Sequence, residues 1–149
     1  MYRMIVWGAL IIVLGFLAYV RFSPSDPARW HKQAYPSGLG EKPSKAGYVW
    51  RSQIVGDGLA ELAALDDVVR QTARTRLLAG SVAQKQLTYV TRSRVFGFPD
   101  YTTIGVYDGL IEDEQTRYLE INSRLRFGGS DLGVNRARAK GWLTLLQAG

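Results

Sequence analysis

The sequence predicts an α+β protein: an N-terminal transmembrane helix, then a small domain whose antiparallel sheet is flanked by one helix before it and one long C-terminal helix after it. Three observations carry this prediction. Residues 4–20 are seventeen consecutive uncharged residues. Residues 86–96 and 101–107 are rich in Thr, Tyr and Val, and residues 116–127 alternate apolar with polar positions, as half-buried strands do. Beyond Gly128-Gly129 the apolar positions take a helical spacing,.

The N-terminal run makes about 25 Å of helix at about 1.5 Å per residue, close to the thickness of a bilayer core. Tyr2 and Phe22 extend it, Trp7 and Tyr19 lie toward opposite ends as interfacial aromatics do, and Arg3 and Arg21 can snorkel to the two surfaces,. A cleaved signal peptide shares the short apolar run behind a positive start, but no small-x-small site precedes Arg21,. The expectation is therefore a retained single-pass anchor over residues 1–22. Arg3 and the amino terminus favour a cytoplasmic N-terminus, nearly balanced by Arg21, Arg29 and Lys32 behind the helix,. A bacterial inner-membrane protein with a periplasmic domain is expected. Gly8 and Gly15, two turns apart, permit a neighbouring helix to approach closely.

Residues 23–47 hold Pro24, Pro27, Pro36 and Pro43 together with Gly38, Gly40 and Gly47, a composition that excludes regular structure through most of the segment. It reads as a spacer or a wrapped arm. Trp30 and Tyr35, beside Arg29, His31 and Lys32, suit a membrane interface, a partner, or the chain's own domain,. The domain itself is expected over residues 48–149. It starts with a strand at 48–55, followed by a helix at about 58–77, capped by Asp57 and carrying Leu59, Leu62, Asp66, Val69 and Ala73 on its core stripe,. Two strands follow, joined by a turn at Gly97-Phe98-Pro99-Asp100,. After the acidic loop Glu112-Asp113-Glu114, the third strand puts Leu119, Ile121, Leu125 and Phe127 on one face and Glu120, Asn122, Arg124 and Arg126 on the other,. The last helix, capped by Ser130 or Asp131, aligns Leu132, Ala139, Trp142, Leu143 and Leu146,.

Composition narrows the chemistry. The net charge is +6, and Arg outnumbers Lys by fourteen to five, which favours bidentate or stacked contacts with anionic partners. With no cysteine there is no disulfide, thiolate metal site or Cys nucleophile. The single histidine, His31, falls in the arm, and the acidic residues lack metal-ligand spacing,. The Gly pairs lack the Lys-Ser/Thr of a phosphate-binding loop,. Asp66-Asp67 point to different helix faces, and 112–114 is a solvated loop, so neither forms a catalytic dyad. No cofactor, no metal and no enzymatic activity is expected.

What remains is polar and basic. Thr91-Arg92-Ser93-Arg94 ends one strand and Ser123-Arg124-Leu125-Arg126 another, each with its two arginines on one face,. If the strand ends are neighbours, four guanidinium groups meet and can bind a phosphate, an anionic lipid headgroup or an acidic protein surface. The alternative is internal pairing with Asp100 and Asp131. Asn135, on the buried side of the last helix, needs a hydrogen-bond partner, and with Arg136 nearby these groups form one candidate polar network.

The strings Tyr89-Val90-Thr91-Arg92-Ser93-Arg94-Val95-Phe96-Gly97-Phe98-Pro99-Asp100 and Ser123-Arg124-Leu125-Arg126-Phe127-Gly128-Gly129-Ser130-Asp131-Leu132-Gly133-Val134-Asn135-Arg136 resemble those of a bacterial and plastid family catalogued as a domain of unknown function, the fourteen-ninety-nine family. The resemblance covers roughly residues 48–146. It implies no activity, and it implies a short N-terminal anchor, which members often carry. The function expected is a non-catalytic accessory or assembly subunit of a larger inner-membrane complex, with a respiratory or photosynthetic electron-transfer assembly as one such host. Its partners are integral membrane protein subunits and membrane lipids, anionic headgroups among them. A periplasmic helix-grip module for a lipid or small apolar ligand is the alternative. An exported domain meets no nucleic acid.

Overall fold

The computed structural model describes residues 1–35 and 37–148. Pro36, one of the four arm prolines, lies outside them, as does Gly149. Helix α1 (Tyr2–Phe22) spans 21 residues, and its most apolar window has a mean hydropathy of 2.2. By length and composition it is able to cross a membrane, as an anchor or a signal sequence is,. Nearly all of it is exposed; Val20, at 0% exposure, is the exception.

The domain is built on one six-stranded sheet in the order β1-β2-β6-β5-β4-β3. The strands are β1 (Gly40–Ser44), β2 (Gly47–Gln53), β3 (Thr75–Ser81), β4 (Gln86–Arg92), β5 (Pro99–Ile111) and β6 (Glu114–Leu125). Every neighbouring pair is antiparallel. Helices α3 (Leu59–Arg70) and α4 (Val134–Ala148) cover one face. There Leu62, Leu65, Val69, Leu87, Tyr89, Ile104, Ile121, Ala139 and Trp142 share a core. The predicted alternation of β6 holds at Leu119 and Ile121, which enter this core while Glu120, Asn122 and Arg124 point away, but the strand ends at Leu125, and Phe127, expected on the core face, packs on Tyr19 of α1. Asp66, the one polar residue on the α3 stripe, accepts from the Tyr89 hydroxyl and from Arg70 Nε at 2.6 Å.

Four other expectations change. The helix expected to reach residue 77 stops at Arg70, because Arg74 takes a φ of +59° and turns the chain into β3. Ala73 is exposed as a result, and Leu77 reaches the core from a strand. The hairpin turn is not 97–100 but 93–98, closed by Ser93 N–H to the Phe98 carbonyl at 2.9 Å. Pro99 opens β5 opposite Arg92, a first-strand position where its missing N–H costs no ladder bond. Leu132 does not join the last helix's stripe: it precedes α4 with a φ of +52° and is 91% exposed. Asp131 is the cap, its two carboxylate oxygens accepting from Gly133 N at 2.9 Å and Asn135 N at 3.1 Å.

The Pro-rich segment contains regular pieces that its composition did not announce. Asp26 caps a single turn, α2 (Pro27–Trp30), and β1, with Pro43 in it, forms the outer edge of the sheet. A proline is tolerated on such an edge, where no further strand needs its N–H.

Candidate functional site

Residues 23–35 and 37–39 lie as an arm across the sheet face opposite α3 and α4, so of the three settings open to Trp30 the structure selects the chain's own domain. Trp30 stacks on Tyr101, ring centroids 4.0 Å apart and 9° from parallel, beside Val90. The rest of the seat is polar. Arg51 (2% exposed) pairs with Glu120 (0% exposed), Nε to carboxylate 2.7 Å. Both then hold the arm: Arg51 donates to the Tyr35 carbonyl at 2.9 Å and to Ser37, while Glu120 accepts from Ala34 N at 2.8 Å. A buried pair survives when its remaining donors and acceptors are satisfied, and here the arm backbone satisfies them.

Arg124 continues the same row. Its Nη2 donates to the Trp30 carbonyl at 2.7 Å and to Thr103 Oγ1 at 2.5 Å, and burial pushes its guanidinium down to about 10, so it keeps its charge at neutral pH. His31 Nδ1 meets Thr88 Oγ1 at 2.9 Å, and burial together with the Arg124 charge lowers its imidazole below the ordinary 6.5.

At the end of this row the domain grips α1. Arg126 donates to Ser23 Oγ at 2.5 Å, to the Pro24 carbonyl at 2.9 Å and to the Tyr101 hydroxyl at 3.0 Å. Arg92 donates to the Gly97 carbonyl at 2.8 Å and reaches the Val20 carbonyl at 3.4 Å. Tyr19 meets Phe127 edge to face at 6.0 Å. The match to the family described as Protein of unknown function (DUF1499) starts at this junction and spans residues 23–146. The chain belongs to that family. The DUF1499 match thus takes in the arm as well as residues 48–146, where the motifs lie. No curated protein and no solved structure matches the chain.

The polar residues singled out in this DUF1499 member do not form one network. Asp100, Asp131 and Asn135 lie on the helix side of the sheet, and the cation that joins them is Arg138, which donates to Asn135 Oδ1 at 3.0 Å and to Asp100 at 3.3 Å. Burial nonetheless raises the Asp100 carboxyl, because desolvation outweighs Arg138. Of the expected internal partners of the strand arginines, Asp100 is taken by Arg138 and Asp131 by the backbone at the start of α4, since alternation sends Asp100 to the face opposite Arg92, Arg124 and Arg126. Arg136 pairs with Glu41 of β1 at 3.0 Å on the surface. Arg92, Arg124 and Arg126 hold the arm and α1, and Arg94 points to solvent. Trp7, Gly8, Gly15 and Tyr19 are all exposed on α1, and a Cβ placed at Gly8 or Gly15 meets nothing within 4 Å.

The sequence pattern assigns no site role to Arg51, Glu120 or Arg138. Arg51 and Glu120 are 69 residues apart, and the one local signal was Glu120 itself, an acid on the polar face of a strand otherwise flanked by arginines. Among the described residues, no group of three or more His, Cys, Asp or Glu stands together as a metal site.

Proposed function

We propose that this chain is a non-catalytic, single-pass subunit of a larger inner-membrane complex, with α1 retained as its anchor and the domain in the periplasm. The observation that carries the reading is the grip on α1. A domain that catches soluble ligands on a leash needs slack between anchor and fold. Here Val20 is buried and Ser23 and Pro24 are bonded to Arg126, so the domain stands on the membrane helix at a fixed angle. Fixed geometry serves docking, where two surfaces must meet in register. The exposed side of α1 around Gly8 and Gly15 offers neighbouring helices a close approach,, and a respiratory or photosynthetic electron-transfer assembly is a host that uses such subunits.

The helix-grip alternative has less support: Tyr48, Leu62, Ile121, Ala139 and Trp142 fill the space between α4 and the sheet as one cluster. The test is purification of the tagged full chain in mild detergent. The same integral membrane chain is expected at a fixed ratio, and it is lost when Gly8 and Gly15 are replaced by Leu. Recovery only as a free monomer overturns the proposal.

A further inference from the structure

Beside the end of α1 lies a cleft of about 360 Å³ whose charged walls are Arg21, Arg74, Arg76, Arg92 and Arg94, closed at one side by Gly97. Small-ligand sites run from about 300 to about 1,000 Å³. No acidic side chain lines it, and among the described residues none of these five arginines belongs to an ion pair. Among the described residues, the acids that do form ion pairs, Glu41, Asp66, Asp100, Asp108 and Glu120, pair with Arg51, Arg70, Arg117, Arg136, Arg138 and Lys140. Like charges gathered without a counterion repel, and the Arg92 guanidinium is lowered by burial and by the charges of Arg76, Arg21 and Arg126.

The backbone is arranged to keep them there. Arg74 holds a left-handed φ of +59°, a conformation that costs a non-glycine residue about 1–2 kcal/mol. From it, the Arg74 carbonyl accepts from Arg92 N at 3.0 Å and its Nε donates to the Arg92 carbonyl at 3.1 Å. Beside the cleft, the 93–98 turn projects Val95, 75% exposed, and Phe96, 50% exposed. That apolar tip is joined to α1 through Phe98, Phe127 and Tyr19.

An unpaired cluster of guanidinium groups, an apolar tip and the last turn of a membrane helix meet at one level. We propose that this cleft binds the phosphate of an anionic phospholipid headgroup, with the Val95-Phe96 tip in the adjoining interface. The phosphate supplies the missing counterion, Arg supplies the forked donors that match its oxygens, and exposed apolar residues settle at the headgroup level. The inference rests on α1 being a membrane helix and is independent of any docking partner.

The experiment uses the full chain in detergent, titrated with phosphatidylglycerol or phosphatidylcholine and read by native mass spectrometry. Phosphatidylglycerol is expected to bind selectively. Arg76→Gln with Arg94→Gln, both exposed and without a hydrogen-bond partner among the described residues, removes two charges and should weaken that binding roughly thirtyfold, at an unchanged unfolding midpoint. Arg29→Gln with Lys32→Gln, outside the cleft, should leave it as in the wild type. Equal binding of the two lipids, or unaltered binding by R76Q/R94Q, overturns the proposal. Displacement of the lipid by equimolar inorganic phosphate assigns the cleft to a free anion and overturns the lipid as its occupant. Incorporation into phosphatidylcholine nanodiscs tests the membrane helix separately, since failure there defeats the anchor whatever the cleft binds.

Discussion

Arg51 and Glu120 show what a residue contributes when its partners come from three parts of the chain. Each neutralises the other beneath the arm, and each also bonds arm backbone, so removing one leaves a charge and several polar groups unpaired in a buried place. Breaking such a pair costs about 3–5 kcal/mol, whereas replacing both members by apolar groups of similar size is often far milder. Arg51→Leu alone and Glu120→Leu alone should each lower unfolding stability by about that amount in urea titrations, and the double variant should lose less than the sum. Additive losses would show that the two side chains act separately.

Among the elements, the arm is the one most dependent on conditions. His31 is held neutral against Thr88 by burial and by Arg124, so its folded value lies below the ordinary 6.5. The unfolded or released arm therefore takes up a proton more readily than the bound one. His31's contribution is present in full above about pH 6.5 and is lost as pH falls through the folded value. Amide exchange of residues 31–35, corrected for intrinsic rates, should quicken relative to β5 between about pH 7.5 and about pH 5.5. His31→Gln should flatten that dependence; an arm equally acid-sensitive in the variant assigns the effect to another group.

The elements that were legible in the sequence are those whose burial is one-sided. β6 alternates because one face meets α3 and α4 and the other meets polar backbone, and α4 shows its stripe around Ala139 and Trp142. β3 was hidden because Leu77-Leu78-Ala79 is a short apolar run with no period of its own, and the turn before it depends on Arg74 adopting a left-handed φ,. β1 was hidden because Gly40–Ser44 is exposed throughout and exists through its register with β2. The cleft follows the same logic: Arg92 and Arg94 stand out as a string, but the sequence pattern puts Arg74 and Arg76 in a helix and Arg21 at the bilayer surface alone.

At the scale of the whole molecule, the question is whether helix α1 merely tethers the domain or orients it. The helix ends at Phe22, Ser23 N–H donates to the Tyr19 carbonyl at 2.8 Å, and by Ser25 the chain is bonded to the Tyr101 hydroxyl at 2.7 Å. A Gly-Ser-Gly-Ser insertion between Phe22 and Ser23 gives the domain a flexible reach of about 10–12 Å; it leaves the contacts of Ser23, Pro24 and Ser25 in place and releases those of Tyr19 and Val20. It also parts Arg21 from Arg74, Arg76, Arg92 and Arg94. If orientation matters, the inserted chain should stay in the membrane and keep its arm, yet lose the co-purifying subunit and bind phosphatidylglycerol more weakly than the wild type. Retention of both by the inserted chain would make α1 a simple tether, because the slack removes the fixed angle and leaves the attachment unchanged.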